Sequence, residues 1–373
     1  MTHSTFDGYR PPEPPRGRRR RRRDGDRSPA RRRDLGALGT GDGGREMPMV
    51  EDVEFSSYYG RPVVKAPPWG APIGLYLFVG GVAGASALLG AGAALTDRPA
   101  LRRNARLTAL AAVAVGTPAL IEDLGRPERF LHMLRVLKPT SPMSLGTWIL
   151  SGFASGAGVA AAAEIDRLLG ERLPLGPLRP VLRCAEGPAA AVSTVLGAPL
   201  AAYTAVLLGD TAVPTWQGAR QGLPFVFVSS AALAASGIAM ITTPVAQAGP
   251  ARVLAVLGVA GDVLAMHRTT ESMHPLEAEP LETGSAGRKL RWAERLAVAG
   301  GVATLLGGRN RWIAAAGGAA LATASALTRF GVLEAGIESV KDPRRVMIPQ
   351  RERLEKRRAE GTTDDSITTG PGS

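Results

Sequence analysis

Residues 71–95 read APIGLYLFVGGVAGASALLGAGAAL, with no charged side chain before Asp97. A helix needs roughly 20 apolar residues to cross the hydrocarbon core of a bilayer. Inside that core every backbone N–H and C=O must be satisfied within the segment, which a helix does and an irregular chain does not. This stretch therefore reads as a membrane-spanning helix. Similar apolar segments follow at 107–121, 143–163, 188–208, 224–242, 251–266, 293–306 and 312–333. The spacing predicts an all-α integral membrane protein of about eight transmembrane helices, packed as two four-helix groups.

The segments between spans carry the polar residues. Residues 167–183 are rich in Leu, Arg and Pro and are expected to lie along the membrane interface. A polar loop is expected over 268–289. Small residues recur at four-residue spacing, Gly80 with Gly84 and Gly152 with Gly156. Such spacing allows helix backbones to approach closely in lipid, and it also suits a cleft floor for a flat ligand.

A mean hydropathy of only +0.03 conceals the membrane domain, because polar ends dilute it. The chain divides into a basic, Arg/Pro-rich tail over 1–66, a membrane domain over 67–340 and a charged tail over 341–373. Both tails lack the apolar content to bury a core and are expected to be disordered. Residues 18–23 are an unbroken arginine run. No folded basic domain accompanies it, so nucleic acid is not the expected partner; a bilayer is. An even number of spans puts both termini on one side, and their Arg and Lys content argues for the cytoplasm. No short apolar stretch precedes residue 71, so no signal peptide is expected.

Composition also limits the chemistry. The single cysteine, Cys184, excludes an intrachain disulfide and a cysteine-ligated iron–sulfur cluster. Four histidines are present, none paired inside a span as di-haem ligation requires. Neither haem nor an iron–sulfur cluster is expected in this chain.

Ionisable groups in or near spans are costly and become functional candidates. Glu122 and Asp123 close the second span, next to Arg126; they suit a helix-end ion pair or proton transfer. Tyr203 lies inside the fourth span, seven residues before Asp210, about 10 Å along the axis. Its hydroxyl needs a partner, either a helix carbonyl or a ligand carbonyl. Asp262 is the deepest acid and suits a proton relay. Arg329 and Glu334 are expected to snorkel from the end of the eighth span. These residue types fit a secondary transporter and a quinone-reactive subunit alike.

Several strings in order resemble the NrfD / polysulfide reductase membrane subunit (PsrC) family. They are Asp123-Leu124-Gly125-Arg126-Pro127, His132-Met133-Leu134, and Pro139-Thr140-Ser141-Pro142-Met143 leading into Gly146-Thr147-Trp148. Tyr203-Thr204-Ala205 before Pro214 and Trp216, Leu223-Pro224, and Arg329-Phe330 through Lys341-Asp342-Pro343 complete the set. The resemblance spans roughly residues 69 to 350. It implies a membrane anchor subunit of a molybdopterin oxidoreductase complex that is not catalytic alone. Its cofactor would be a quinone, menaquinone or ubiquinone. Its partners would be a ferredoxin-like four-cluster iron–sulfur subunit and a molybdopterin catalytic subunit. The resemblance maps the quinone contact onto Tyr203, with Asp123 and Arg126 close by. Tyr76 is the one polar side chain near the first-span position that some members use. Glu122 and Asp262 are the proton-relay candidates. Ala205 departs from the glycine common in that string. A polytopic transporter and a non-catalytic anchor are the alternatives; Pro118 and Pro199 would be the broken-helix signs of the former.

Overall fold

The computed structural model describes residues 62–126 and 128–360. The arginine run and residues 361–373 lie outside them. The described residues are helical throughout: α1 (Ala71–Leu95), α2 (Pro99–Asp123), α3 (Glu128–Met133), α4 (Pro142–Leu168), α5 (Leu178–Gly209), α6 (Pro214–Gly218), α7 (Leu223–Thr242), α8 (Gly249–Ser272), α9 (Pro275–Glu282), α10 (Gly284–Leu306), α11 (Arg311–Ser339) and α12 (Arg344–Ala359). Proline opens most of them, at α1, α2, α4, α6, α7, α8 and α9. Its missing N–H and fixed φ suit a first turn. Asn310 caps α11 instead, its Oδ1 accepting from the N–H groups of Trp312 (2.9 Å) and Ile313 (3.3 Å).

Among the described residues, seven helices are long and apolar enough to cross a membrane: α1, α2, α4, α5, α7, α8 and α11. The eighth, α10, carries Arg288, Lys289, Arg291, Glu294 and Arg295 in its first half and falls short on composition. It nevertheless packs along α11 and completes the bundle. The eight long helices form two groups of four, α1-α2-α4-α5 and α7-α8-α10-α11. Each group repeats one pattern. The first helix packs on the second and fourth, the third packs on the fourth, and the second touches the third only lightly. α7 joins the groups through α1 and α5.

Backbones come close at matching places in both groups. A methyl on Gly84 would strike the Gly197 carbonyl oxygen between α1 and α5, and one on Gly237 would strike that of Gly318 between α7 and α11. Ala or larger cannot be added there without parting the helices, which is how small residues set packing in lipid. Gly80 meets nothing of this kind.

α1 begins and α11 ends on one face, the terminal face. The short helices α3, α6, α9 and α12 all lie in connections on that side. On the opposite face, buried acids tie α2, α4 and α5 together. Glu164 accepts from Arg102 and Arg106, both at 2.9 Å, and Glu186 from Arg106 and Arg167. Asp166 is paired with Arg179 (3.2 Å) and Arg183 (2.9 Å).

Two expectations need correction. Residues 268–289 are not a polar loop: α8 runs to Ser272, α9 fills the gap, and α10 starts at Gly284. Polar helices at a membrane surface lack the apolar signal by which a span is recognised. Within 167–183, α4 extends to Leu168 and α5 starts at Leu178, with residues 169–177 between them outside any helix; Arg167, Arg179 and Arg183 are held by the buried acids. Residues 344–359 are not disordered but form α12. Asp342 opens that helix by accepting from the Arg344 N–H at 3.0 Å. The Arg344 guanidinium on the same carboxyl holds it below the usual aspartate range. Arg353 then pairs with Glu277 (2.8 Å) and Arg345 with Glu279 (3.2 Å), fastening α12 to α9 by charge, with Val346 of α12 also buried.

Candidate functional site

Near the terminal face, α1 and α5 bring two phenols together. The Tyr76 and Tyr203 hydroxyls lie 2.9 Å apart. Tyr76 is buried and Tyr203 half-buried. α4 approaches from the side, and Gly146 gives the Tyr203 ring its seat: a methyl there would overlap the ring and its hydroxyl. Thr147, one residue on, faces the same space.

The phenols line a narrow cavity of about 50 Å³. Asp123 at the end of α2, Met133 of α3, Met143 at the start of α4 and Trp69 just before α1 complete its outer wall. Trp69 stacks on Trp216 of α6, with centroids 5.4 Å apart. Trp216 is itself fixed, donating Nε1–H to the Val332 carbonyl at 2.8 Å. The floor of the cavity is therefore rigid. Its mouth is made of methionines, which have three rotatable bonds and adapt readily.

Of the residues singled out in the sequence, Tyr76, Tyr203 and Asp123 share this cavity. Arg126 and Glu122 are exposed and outside its wall. Asp262 belongs to the other helix group, where it is 4% exposed and lines a separate cavity between α8 and α10. Trp69, Gly146, Thr147 and Met133 were not singled out as site residues. Gly146 and Thr147 stand in a family-like string, and Trp69 sits just before a Pro-started helix, so both signals were present.

Arg329 was also misjudged. It does not snorkel: α11 continues to Ser339, and Arg329 is fully buried. Its guanidinium lies over the Phe227 ring, 3.9 Å from the centroid, and donates to the Phe227 carbonyl. It packs against Gly81 of α1, at the junction of the two groups. Glu334 pairs with Lys289 of α10.

Among the described residues, no group of His, Cys, Asp or Glu could hold a metal ion. What the site offers is two phenol hydroxyls, a carboxyl and apolar walls, set in a polytopic helical membrane protein. A family model described as "Polysulphide reductase, NrfD" matches residues 62–253, more than half of the chain. The chain belongs to the NrfD family, and the matched region holds the whole cavity wall. None of the curated proteins compared with it matches.

Proposed function

We propose that this chain binds the head of a membrane quinone at the Tyr76–Tyr203 pair and links the quinone pool to an iron–sulfur partner subunit of a molybdopterin oxidoreductase complex. One observation carries the reading: a buried and a half-buried phenol, on helices far apart in sequence, meet hydroxyl to hydroxyl in a cavity that also holds a carboxyl. A quinone carbonyl needs a hydrogen-bond donor, and two-electron reduction also needs protons delivered nearby. Membership of the NrfD family, whose members associate with oxidoreductase subunits, supports the partner class.

The chemistry of the wall fits a quinone head; its volume fits only after movement. About 50 Å³ is far below the roughly 300 Å³ of small-molecule pockets. Met133 and Met143 are the side chains able to swing away, and the Tyr–Tyr bond is the one that must open. A quinone, when bound, supplies the two-electron, two-proton redox chemistry. Tyr203 and Tyr76 then donate to the ligand the hydrogen bond they otherwise share. Asp123, at the terminal-face end of the cavity, exchanges protons with the outside. The apolar walls exclude water and strengthen those hydrogen bonds. Asp262 serves as a further proton relay, separate from the cavity. Arg126 and Glu122 act at the exposed rim, where a charged pair guides association.

The terminal face lies in the cytoplasm in this reading. Its connections carry Arg126, Arg129, Arg135 and Lys138, then Lys341, Arg344, Arg345, Arg351 and Arg353; basic residues also sit on the opposite face, among them Arg98, Arg102, Arg103, Arg179 and Arg183. The basic N-terminal residues add to this side, and an excess of Lys and Arg marks the cytoplasmic face. The transporter alternative loses its signs. Pro118 and Pro199, the signs weighed for it, lie within continuous helices. Quinone-linked turnover of Tyr203→Phe, measured beside partner assembly in the same membranes, tests the proposal. Normal assembly with depressed turnover supports it; unchanged turnover removes Tyr203 from the site.

A further inference from the structure

A second space, larger than the tyrosine cavity, lies in the described residues. A cavity of about 830 Å³ lies between α8, α9 and α10, in the second helix group. It occupies the seam between α8 and α10, which touch only lightly. In the repeated pattern this is the counterpart of the α2–α4 seam that shelters the tyrosine cavity.

The cavity wall changes along its depth. Thr270, His267 and Glu282 stand at the terminal-face end, close to the end of α8 and in α9. Asp262 and Thr328 stand at the inner end. Asp262 precedes the last residue of α8 by ten positions, about 15 Å along the axis. That depth places it well inside the hydrocarbon layer. Its Oδ1 is buried and has no protein hydrogen-bond partner. Behind it, Arg329 has two further buried nitrogens, Nε and Nη1, without partners.

Such groups are too costly to leave in a dry or lipid-filled space. A void this large, bordered by an acid, holds water readily, since one water needs only about 30 Å³. We propose that the α8–α10 cavity is a water-filled vestibule open to the terminal face, giving Asp262 aqueous contact by a route that bypasses the tyrosine cavity. Asp262 takes a proton from that water as its carboxylate becomes the neutral acid, and returns it the same way. The charged groups facing it are Glu294 and Arg291 from α10, Glu282 from α9, His267 from α8 and Arg329 from α11; α7 offers none. Arg329, packed against α1 at Gly81, sets the inner boundary of the water.

This inference deepens the relay role proposed for Asp262, and its test does not read turnover. Cys184 is the only cysteine, so Cys184→Ser gives a thiol-free chain in native membranes. Single cysteines are then introduced as Thr270→Cys at the mouth, Val263→Cys deeper on the wall, and Leu257→Cys on the exposed, lipid-side surface of α8. A charged, membrane-impermeant thiol reagent is added from the terminal-face side, with an uncharged permeant reagent in parallel. Only a wetted thiol ionises and reacts with the charged reagent, so Val263→Cys is expected within about tenfold of the Thr270→Cys rate, and Leu257→Cys far slower. Reaction of Val263→Cys with the uncharged reagent alone overturns the proposal and marks the cavity as lipid-filled. Val298→Cys, on the α10 wall, gives the same reading if Val263→Cys does not accumulate. A hydrated vestibule with Tyr203→Phe turnover unchanged would sink the quinone reading and leave this one standing; the converse pair of results would do the reverse.

Discussion

Tyr76 and Tyr203 share one hydrogen bond between two hydroxyls, 2.9 Å apart, so one of the two phenol hydrogens is left over for a third partner. The pair is thus a donor site held ready by its own internal bond. Replacing either residue with Phe removes a hydroxyl and keeps the ring. Losing that bond should cost on the order of 1 kcal/mol of stability. Quinone-linked turnover should fall further, because the bond to a ligand strengthens as charge develops on it. The double variant should cost little more than either single one, because both remove the same interaction. Fully additive losses in turnover would mean that the two phenols act separately.

Gly146 should tolerate no side chain. A methyl group there overlaps the Tyr203 ring, so Gly146→Ala must push the ring toward the cavity or part α4 from α5. Overpacking of this kind costs about 1–3 kcal/mol. Gly158→Ala, on the same helix with open space at its Cβ, is the control and should be near neutral. Thermal unfolding of the two purified variants, followed by tryptophan fluorescence, gives the comparison. Equal midpoints would show that the ring has room to yield.

The eight-crossing architecture was legible because apolar length is written directly in the sequence. What was lost lay where polarity and helicity coincide. The polar start of α10 and the whole of α9 read as loop, since a charged helix at a membrane edge looks like any solvated segment. Arg329 read as a snorkelling residue because the helix seemed to end nearby; its true end at Ser339 lies beyond the apolar stretch. The meeting of Tyr76 with Tyr203 is a contact across 127 residues, which no local pattern encodes. The likeness of the two helix groups is a likeness of packing, carried by Gly84–Gly197 and Gly237–Gly318 rather than by shared residues elsewhere.

Glu164 anchors the opposite face. Its side chain is 3% exposed and receives Arg102, Arg106 and Arg167. Glu164→Gln removes the charge and leaves Arg102 without its anion, while Arg106 and Arg167 keep Glu186. Breaking a buried pair in this way costs about 3–5 kcal/mol, reduced here because Arg102 and Arg167 are partly solvated. A clear fall in the unfolding midpoint is expected, without change at the tyrosine cavity. Glu271→Gln, whose partner His267 is exposed, should do nothing measurable.

α12 should loosen in acid. Asp342 has its folded-state pKa depressed by Arg344, so its contribution is present above the unfolded aspartate value, about 4, and is lost as pH falls through the folded value. Amide exchange across residues 344–359, divided by the intrinsic rate at each pH, reads this directly. In Asp342→Asn the protection should already be lower at pH 7, and the gap from the native chain should close at low pH. No gap at pH 7 would assign the hold on α12 to Glu277 and Glu279.

The last prediction concerns sidedness. α1 starts and α11 ends on the same face, and α12 carries Arg345 just beyond α11. Cysteines introduced at Lys65 and Arg345, in the Cys184→Ser chain, should therefore label from one side only. In the proposed orientation that side is the cytoplasm. The opposite-face loop at Gly170, between α4 and α5, should label from the other side when Gly170→Cys is used. This arrangement has a consequence for energetics. The tyrosine cavity lies near the terminal face, so in the proposed reading the protons consumed there come from that face, and electrons from a partner docked on the same face would enter from the same side. Such a reaction moves no net charge across the bilayer through the tyrosine cavity. Membrane potential recorded with a permeant dye during quinone-linked turnover should stay flat in the native chain and in Asp262→Asn alike, because the vestibule returns its proton to the face it came from. Labelling of residues 65 and 345 from opposite sides would refute the even number of crossings, and labelling of both from outside would invert the assignment of the face.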